Sequence, residues 1–189
     1  MKKLIIKSTL LLFMSVSLFS CKKEEVNETA AEQTTTTKDL GNGIVETLQR
    51  GPNGTNVVFS NWITKTQTDW NGIGTPEIKT DINTTSLTDA IKNQGIVLVY
   101  FDFAGRVYLL PFVQLQFNYE IDNYFTTGKI TLSLRIVGGG TIAEPISDMK
   151  FRYVLIPNSA FPGSGSGKMS QSVDYNNYNA VCEYYGIQK

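Results

Sequence analysis

The sequence predicts a mainly β domain, an antiparallel β-sandwich with two short helices. Three observations support this fold class. Short segments alternate apolar and polar side chains, as strands do when one face is buried. Turns rich in glycine, asparagine and proline separate these segments. The chain also lacks the long helical crossovers that join parallel strands, which argues against a parallel α/β fold.

The first predicted strands lie between residues 44 and 82. Ile44–Leu48 lies between glycine-rich turns, and Asn56–Thr68 is rich in β-branched and aromatic residues, so we expect a short strand and then a long one. Trp62, in the middle of the long strand, is interpreted first as a core residue and second as a ligand platform. Trp70 follows in a predicted turn, where burial is harder, so we expect it at a contact surface. Glu77–Ile82 alternates and is a further strand.

A short helix and a hairpin come next. Ser86–Asp89 has the spacing of a capping box, and Gly95 suits the end of the helix. The continuous apolar run Ile96–Phe101 predicts a strand buried on both faces. Val107–Phe112 is expected to return antiparallel to it. Pro111 has no backbone N–H to donate, so it marks the end or the edge of that strand.

Two segments have the clearest period-two pattern in the chain. We predict strands at Gln114–Ile121 and Lys129–Ile136, each with one buried and one wet face. In the first, Leu115, Phe117, Tyr119 and Ile121 are expected to face the core. Asp122–Gly128 is predicted as the hairpin loop between them. Tyr124 and Phe125 would then be exposed aromatic residues in a loop.

The last predicted elements are a strand and a closing helix. Phe151–Ile156 is an apolar strand, and residues 158–171 form a loop rich in glycine and serine. Asp174 is the predicted cap of a helix that ends at Gly186. Four side chains share one face of this helix, which we expect to pack against the sheets: Tyr178, Val181, Cys182 and Tyr185.

The N-terminal segment has the pattern of a secretory leader. Residues 1–7 form a short basic segment. Residues 8–19 form an apolar segment that is too short to span a bilayer. The residues that end this run, Leu18, Phe19, Ser20 and Cys21, resemble a bacterial lipobox. We therefore expect a signal peptide over 1–20 and acyl chains such as palmitate on Cys21, which would anchor the protein to the membrane. Residues 21–40 would be a disordered tether, and 41–189 the folded domain.

Four charged residues follow the expected lipidation site: Lys22, Lys23, Glu24 and Glu25. A basic residue followed by paired acids at this position resembles the surface-export signal of lipoproteins from Bacteroidota-type bacteria. The alternative is a plain solvated cluster of charges. If the cluster is an export signal, the domain faces the exterior of the outer membrane rather than the periplasm.

Composition excludes several classes of function. The chain has no histidine, which excludes a Ser-His-Asp or Cys-His catalytic arrangement and any histidine-ligated metal. Charges are balanced, with 17 basic and 17 acidic side chains, so no nucleic-acid partner is expected. With Cys21 acylated, Cys182 is unpaired, and we interpret it as a small buried residue. No cofactor or metal site is predicted.

A glycine-rich segment and a set of acidic residues are the two candidates for a site of chemistry. Pro162–Ser170 superficially resembles a phosphate-binding loop, but the spacing of its glycines and lysine does not match, so we interpret it as a flexible loop. A carboxylate-based hydrolase would need two acids across a cleft. The candidate acids are Asp102, Glu120, Asp122 and Asp148, and no spacing singles out a pair. Asp102 and Arg106 are expected to form an ion pair across their turn.

Several segments together are similar to one domain family. They are Trp62 in an early strand, residues 95–100, residues 107–111 and residues 151–157. The combination resembles the C-terminal domain of uncharacterised Bacteroidota lipoproteins, some of which look like collagen-type proteins. The resemblance spans roughly residues 55–187 and implies a β-sandwich on a lipid anchor. It implies no reaction and no functional residues.

The first functional hypothesis is a non-enzymatic binding or adhesion protein at the outer membrane, with a surface glycan or an envelope protein as its partner. Its predicted contact residues are Trp70, Tyr124 and Phe125, because exposed aromatic side chains are common at recognition surfaces. The alternatives are a carboxylate-based hydrolase and a structural accessory subunit of an outer-membrane complex. The sequence leaves the partner and the oligomeric state open.

Overall fold

Two antiparallel β-sheets face each other in the computed structural model of the protein, which describes residues 35–51, 54, 56–143, 147–160 and 173–189. These residues belong to one compact unit, residues 33–189. The predicted fold class is confirmed. The described strands are β1 (Thr35–Gly41), β2 (Ile44–Arg50), β3 (Asn56–Ser60), β4 (Ile63–Lys65), β5 (Glu77–Asn83), β6 (Ile96–Phe103), β7 (Arg106–Leu109), β8 (Phe112–Gln114), β9 (Tyr119–Thr126), β10 (Lys129–Ile136) and β11 (Met149–Ile156). The described α-helices are α1 (Asp89–Gln94) and α2 (Tyr178–Tyr185).

The larger sheet contains the first and the last described strands of the domain. Its strand order is β1–β2–β3–β11–β6–β7, and β4 also pairs with β11. The smaller sheet has the order β5–β10–β9–β8. The chain passes from the larger sheet to the smaller one twice, between β4 and β5 and again through Leu110 and Pro111, between β7 and β8. Pro111 thus ends its strand, as predicted, because it has no N–H for the ladder.

The inner faces of both sheets form the main core. β10 contributes Ile130, Leu132 and Leu134, all buried, which confirms the predicted inward face of that strand. From the larger sheet, Phe101 stacks on Phe151 with ring centroids 5.3 Å apart. Because side chains alternate along a strand, one face of each sheet supplies this core.

A second core lies on the outer face of the larger sheet, beneath α2. The buried face of this helix is the predicted one: Tyr178, Val181, Cys182 and Tyr185. It packs against Leu98 and Tyr100 of β6, whose neighbours Val99 and Phe101 face the main core. The predicted burial of this strand on both faces is therefore confirmed.

The folded domain begins earlier than predicted. Residues 35–40 were expected to belong to the tether, but Thr35–Gly41 forms β1 and pairs with β2. The polar composition of this segment suits an exposed edge strand, and its β-branched threonines favour extended backbone. The low apolar content therefore did not indicate an unfolded segment here.

The predicted long strand Asn56–Thr68 is interrupted. β3 ends at Ser60 and β4 begins at Ile63, and Asn61 stands at the break. The Asn61 side chain donates to the carbonyl of Gly43 (2.8 Å) and accepts from the amide of Val45 (2.9 Å). These bonds replace ladder bonds with β2, so the chain can bend and continue along β11.

The predicted strand Gln114–Ile121 is wrong in its first half. The chain turns between β8 and β9, and Asn118 in this turn has a positive φ of 52°. Leu115 (73% exposed) and Phe117 (55% exposed) therefore face solvent instead of the core. Phe117 stacks on Tyr119 with ring centroids 6.1 Å apart. Apolar alternation continued through a turn, which the pattern alone did not reveal.

The helix starts also differ from the predictions. The cap of α1 is Thr88, whose hydroxyl accepts from the amide of Ile91, rather than Ser86. The cap of α2 is Asn177, whose side chain accepts from the amide of Ala180, rather than Asp174. In both cases the polar residue directly before the first helical residue supplies the acceptor. Gly186 ends α2 in a left-handed conformation, as predicted.

Candidate functional site

The outer face of the larger sheet carries two neighbouring cavities that share Trp62 and Lys189. One lies over β1, β2 and β3 and has a volume of about 350 Å³. We call it the Arg152 groove, and its lining includes Thr37, Thr47, Gln49, Trp62, Arg152 and Lys189. The other has a volume of about 720 Å³. We call it the Asp102 cleft, and its lining includes Trp62, Asp102, Arg106, Asp174, Tyr178 and Lys189.

Strand alternation positions the side chains of the Arg152 groove. On β2, Glu46 faces inward, and its neighbour Thr47 lines the groove. Thr47 is paired with Thr37 of β1 on one side and with Phe59 of β3 on the other. Arg152 belongs to β11, whose neighbouring residues Phe151 and Tyr153 face the main core. The groove is thus built from four adjacent strands.

Arg152 is a buried cation held among aromatic rings. Its side chain is 4% exposed, although the residue lines the groove. Its Nε donates to the carbonyl of Ser60 (2.7 Å), and its Nη1 donates to the hydroxyl of Tyr178. The guanidinium carbon lies 4.9 Å from the ring centroid of Phe59, and 6.0 Å from that of Trp62. These rings stabilise the cation without neutralising it.

No carboxylate within the described ranges lies within 4.0 Å of this guanidinium. A buried charge is normally paired, because its desolvation is costly. Arg152 departs from that rule at a place where the protein surface is concave. Such a group is ready to receive an anionic partner from solution.

Gln49 is a second unusual group in the same groove. Its side chain is 3% exposed, and its Nε2 donates to no acceptor among the described residues. An unmade hydrogen bond of a buried amide costs roughly 1–3 kcal/mol. A ligand oxygen that reached this amide would recover that cost. The groove therefore combines a buried cation with an unused donor.

The two cavities differ in charge. The residues that line the Arg152 groove include two with basic side chains, Arg152 and Lys189, and no aspartate or glutamate. The Asp102 cleft is lined by two acids, Asp102 and Asp174, together with Arg106 and Lys189. The groove therefore favours an anion, whereas the cleft is balanced.

The predicted ion pair between Asp102 and Arg106 is wrong. The ion pairs of 4.0 Å or less in the described part of the chain do not include these two residues. In the hairpin of β6 and β7, Asp102 is opposite Val107 and Arg106 is opposite Phe103. Consecutive positions along a ladder face opposite sides, so the two side chains start out in opposite directions. Both residues still contribute to the lining of the Asp102 cleft.

Trp70 is not at a surface, contrary to the prediction. It is 4% exposed and lies edge-on to Phe151 in the main core, with ring centroids 6.3 Å apart. A short 3-10 turn, Gln67–Asp69, directs it there, stabilised by hydrogen bonds between Thr66 and Asp69. Trp62 is the half-buried tryptophan, which packs against Tyr178 and lines both cavities. The expected roles of the two tryptophans are therefore largely exchanged.

Tyr124 and Phe125 do not lie in a loop, because β9 continues to Thr126. As neighbours on a strand they face opposite ways. Tyr124 is 43% exposed on the outer face of the smaller sheet, with the Nζ of Lys79 5.7 Å from its ring centroid. Phe125 packs against the main core. The structure does not bring the predicted contact residues Trp70, Tyr124 and Phe125 together.

Tyr124 lines a further, smaller cavity of about 260 Å³. Its charged lining residues are Lys79, Asp81 and Lys129. The Nζ of Lys129 and the carboxylate of Asp81 are paired at 3.2 Å. Since these charges largely satisfy one another, this cavity offers a ligand less than the Arg152 groove does.

Glu46 is a buried carboxylate that sequence reasoning missed. It accepts hydrogen bonds from three hydroxyl groups: those of Tyr153 (2.8 Å), Ser86 (2.6 Å) and Thr84. Burial raises the pKa of Tyr153, which keeps its phenol protonated as a donor. Glu46 thus joins β2 and β11 of the larger sheet to the segment after β5. Its acceptors are occupied, so we interpret it as a structural clamp.

Cys182 is buried in α2, which confirms its interpretation as a packed residue. Burial raises the pKa of its thiol. A thiolate is therefore disfavoured, and the group is a poor nucleophile. Beside it, burial also raises the pKa of Tyr178 to about 12, so this phenol stays protonated next to Arg152.

Some predicted features lie outside the described residues. They are Cys21, the charged cluster Lys22–Glu25 and the glycine-rich segment Pro162–Ser170. In the part of the chain that is described, no group of three or more Cys, Asp or Glu side chains is placed to hold a metal ion. No helix among the described residues is long and apolar enough to cross a membrane.

Comparison with known protein families, with curated proteins and with solved structures gave no match. The resemblance to Bacteroidota lipoproteins therefore stays a prediction. Of the groove residues, Arg152 had one signal in the sequence, a charge inside an otherwise apolar strand. Gln49 had none, because its burial depends on strands far away in the chain.

Proposed function

We propose that this protein is a lipid-anchored, non-catalytic binding protein of the cell envelope, and that the Arg152 groove is its ligand site. The observation that carries the binding role is the Arg152 side chain, a buried cation without a carboxylate partner among the described residues, in a groove lined by no aspartate or glutamate. Small-molecule sites are concave and combine apolar surface with a few placed polar groups. The groove has this character, with Trp62 and Phe59 beside polar side chains.

The anchoring part of the proposal rests on the sequence. A basic start, a short apolar run and Cys21 in a lipobox-like context support acylation of that cysteine. The cluster Lys22–Glu25 supports a location on the exterior of the outer membrane, with the groove available to partners outside the cell.

Cys21→Ser tests the anchor in the full chain. We expect the variant to lose incorporation of labelled palmitate and to leave the membrane fraction. Cys182→Ser is the matched control, because Cys182 lies in a packed helix, and we expect it to keep both properties. Unchanged labelling and fractionation of Cys21→Ser would rule out the anchor.

The binding role is tested with the full chain, purified from membranes in detergent, against a panel of surface glycans and envelope extract. Trp62→Ala should weaken binding by about tenfold, as expected for a central aromatic contact. Tyr124→Ala, on the outer face of the other sheet, is the matched aromatic control and should bind as the unmodified protein does. If both variants bind normally while remaining folded, the groove is not the binding surface.

A second candidate function, hydrolysis of a glycosidic bond, is favoured by one observation. Asp102 and Asp174 line the same cleft of about 720 Å³, and two carboxylates across a cleft are the usual requirement for that reaction. Asp102→Asn and Asp174→Asn should each abolish release of reducing ends from envelope glycans if this activity exists. Glu120→Gln is the control, because Glu120 is already paired with Arg135 on the smaller sheet. Absence of turnover by the unmodified protein would remove this candidate.

A further inference from the structure

The Arg152 groove has the features of a carboxylate subsite, and we propose that its ligand is an acidic sugar, with the sugar carboxylate on Arg152. This inference rests on the proposed binding function and names the ligand class of the same groove. Three features support it: the free hydrogen-bond donors of Arg152, the surroundings of Gln49, and the face of Trp62.

The guanidinium group retains unused donors. An arginine side chain has five N–H donors in a planar fork. The Nε of Arg152 and its Nη1 donate to Ser60 and Tyr178, and both acceptors lie within the protein. The remaining N–H groups have no acceptor among the described residues. A planar carboxylate fits such a fork with two parallel hydrogen bonds.

The charge of the groove selects an anion. Arg152 and Lys189 are both in its lining, and no aspartate or glutamate is. The hydroxyl of Tyr178, which contacts the guanidinium, is a neutral acceptor, because burial raises its pKa to about 12. The positive charge is therefore not neutralised within the described part of the protein. A ligand group with a single negative charge would neutralise it.

The rest of the lining matches a sugar ring better than a peptide. Its polar side chains are hydroxyl and amide groups, which pair well with sugar hydroxyls: Thr35, Thr37, Thr47, Gln49, Asn61 and Gln188. Within the described part of the chain, the Nε2 of Gln49 lacks an acceptor. Trp62 adds a flat apolar surface against which the ring can pack. These groups are side chains rather than backbone, whereas an extended peptide is usually bound by backbone groups at a sheet edge.

The test uses the full chain in detergent with tetragalacturonate, an oligosaccharide with one carboxylate on each ring, and its methyl ester as the uncharged counterpart. Isothermal titration should show binding of the acid that is at least about tenfold tighter than that of the ester, because the ester removes the charge-assisted hydrogen bonds. Arg152→Gln should abolish this preference. Arg152→Lys should reduce it, since a lysine keeps the charge but not the fork.

Two further variants keep the test decisive if changes at Arg152 impair folding. Gln49→Leu removes an unsatisfied donor, so the fold should be retained, and binding of the acid should weaken severalfold. Arg106→Gln changes an exposed cation of the Asp102 cleft and should leave binding unchanged. Loss of binding in Arg106→Gln with normal binding in Gln49→Leu would place the ligand in the cleft and overturn the proposal.

Other outcomes separate this proposal from the binding function itself. Equal affinity for the acid and its ester would overturn the carboxylate subsite, while Trp62-dependent binding to envelope extract would keep the binding function. A short peptide that binds through its free carboxyl terminus as tightly as the uronate would overturn the assignment to a sugar. Absence of binding to the acid, with Trp62-dependent binding of another ligand, would also overturn it.

Discussion

The two sheets differ in where they place charged side chains. On the outer face of the smaller sheet, charges are paired in the open: Glu120 with Arg135 at 2.9 Å, and Asp81 with Lys129 at 3.2 Å. The larger sheet buries the charged side chains of Glu46 and Arg152 and the amide of Gln49, and both Arg152 and Gln49 keep donors without an acceptor among the described residues. Exposed ion pairs contribute little to stability and keep a surface soluble. Buried groups with unused donors reduce stability, and such groups are typical of sites that bind a ligand.

The contrast also separates a structural role from a binding role within the larger sheet. Glu46 is as deeply buried as Arg152, but three hydroxyl groups satisfy its carboxylate, and it lines neither the Arg152 groove nor the Asp102 cleft. Arg152 has donors left over and lines a groove. Burial alone therefore does not identify a site. The candidate site is instead the place where residues with unsatisfied donors also line a groove.

The largest expected effect concerns Glu46, the buried group whose carboxylate has its hydrogen-bond partners. Glu46→Ala should lower the free energy of unfolding by about 3 kcal/mol, because it leaves three buried hydroxyl donors without their acceptor. Chemical denaturation monitored by circular dichroism measures this change.

Glu77→Ala is the matched control for Glu46→Ala. Glu77 also accepts from a hydroxyl, that of Ser133 at 2.5 Å, but its side chain is 40% exposed on the smaller sheet. Water can replace its partners, so the loss should be below about 1 kcal/mol. Equal losses in the two variants would mean that burial does not distinguish the two sheets.

The sequence could predict the elements whose stability is local and not the sites that depend on distant strands. The inward face of β10 followed from its alternation, and the buried face of α2 from its helical spacing. Trp70 was misplaced because its burial depends on Phe151, far along the chain. Likewise Arg152 and Ser60 are 92 residues apart, so no local pattern could show how the guanidinium is held.

A smaller effect on the free energy of unfolding, of opposite sign, is expected at Gln49, the buried group with an unused donor. Gln49→Leu should raise the free energy of unfolding by about 1 kcal/mol, because it replaces a buried amide without an acceptor by an apolar group of similar size. Thermal and urea denaturation should both show the gain. Thr131→Val on the smaller sheet is the control and should lose stability, since its hydroxyl donates to Asp81 at 2.6 Å. A lower free energy of unfolding in Gln49→Leu would show that this amide stabilises the fold, and that the groove does not reduce stability through an unmade hydrogen bond.

The smallest effect concerns pH and the exposed pairs of the smaller sheet. Hydrogen bonds from Lys79 and then from Ser133 lower the pKa of Glu77 below its ordinary value of 4.5. Its folded pKa is therefore below its unfolded pKa, so its contribution to stability is complete above pH 4.5 and is lost as the pH falls through the folded pKa. Glu77→Gln should flatten the decline in stability between about pH 5 and pH 3. Arg152→Met in the larger sheet should leave that decline unchanged, because this substitution removes no carboxylate and leaves Glu77 with both of its partners. A decline that is the same in Glu77→Gln and in the unmodified protein would show that the exposed pairs add no stability, and the two sheets would then differ only in their buried groups.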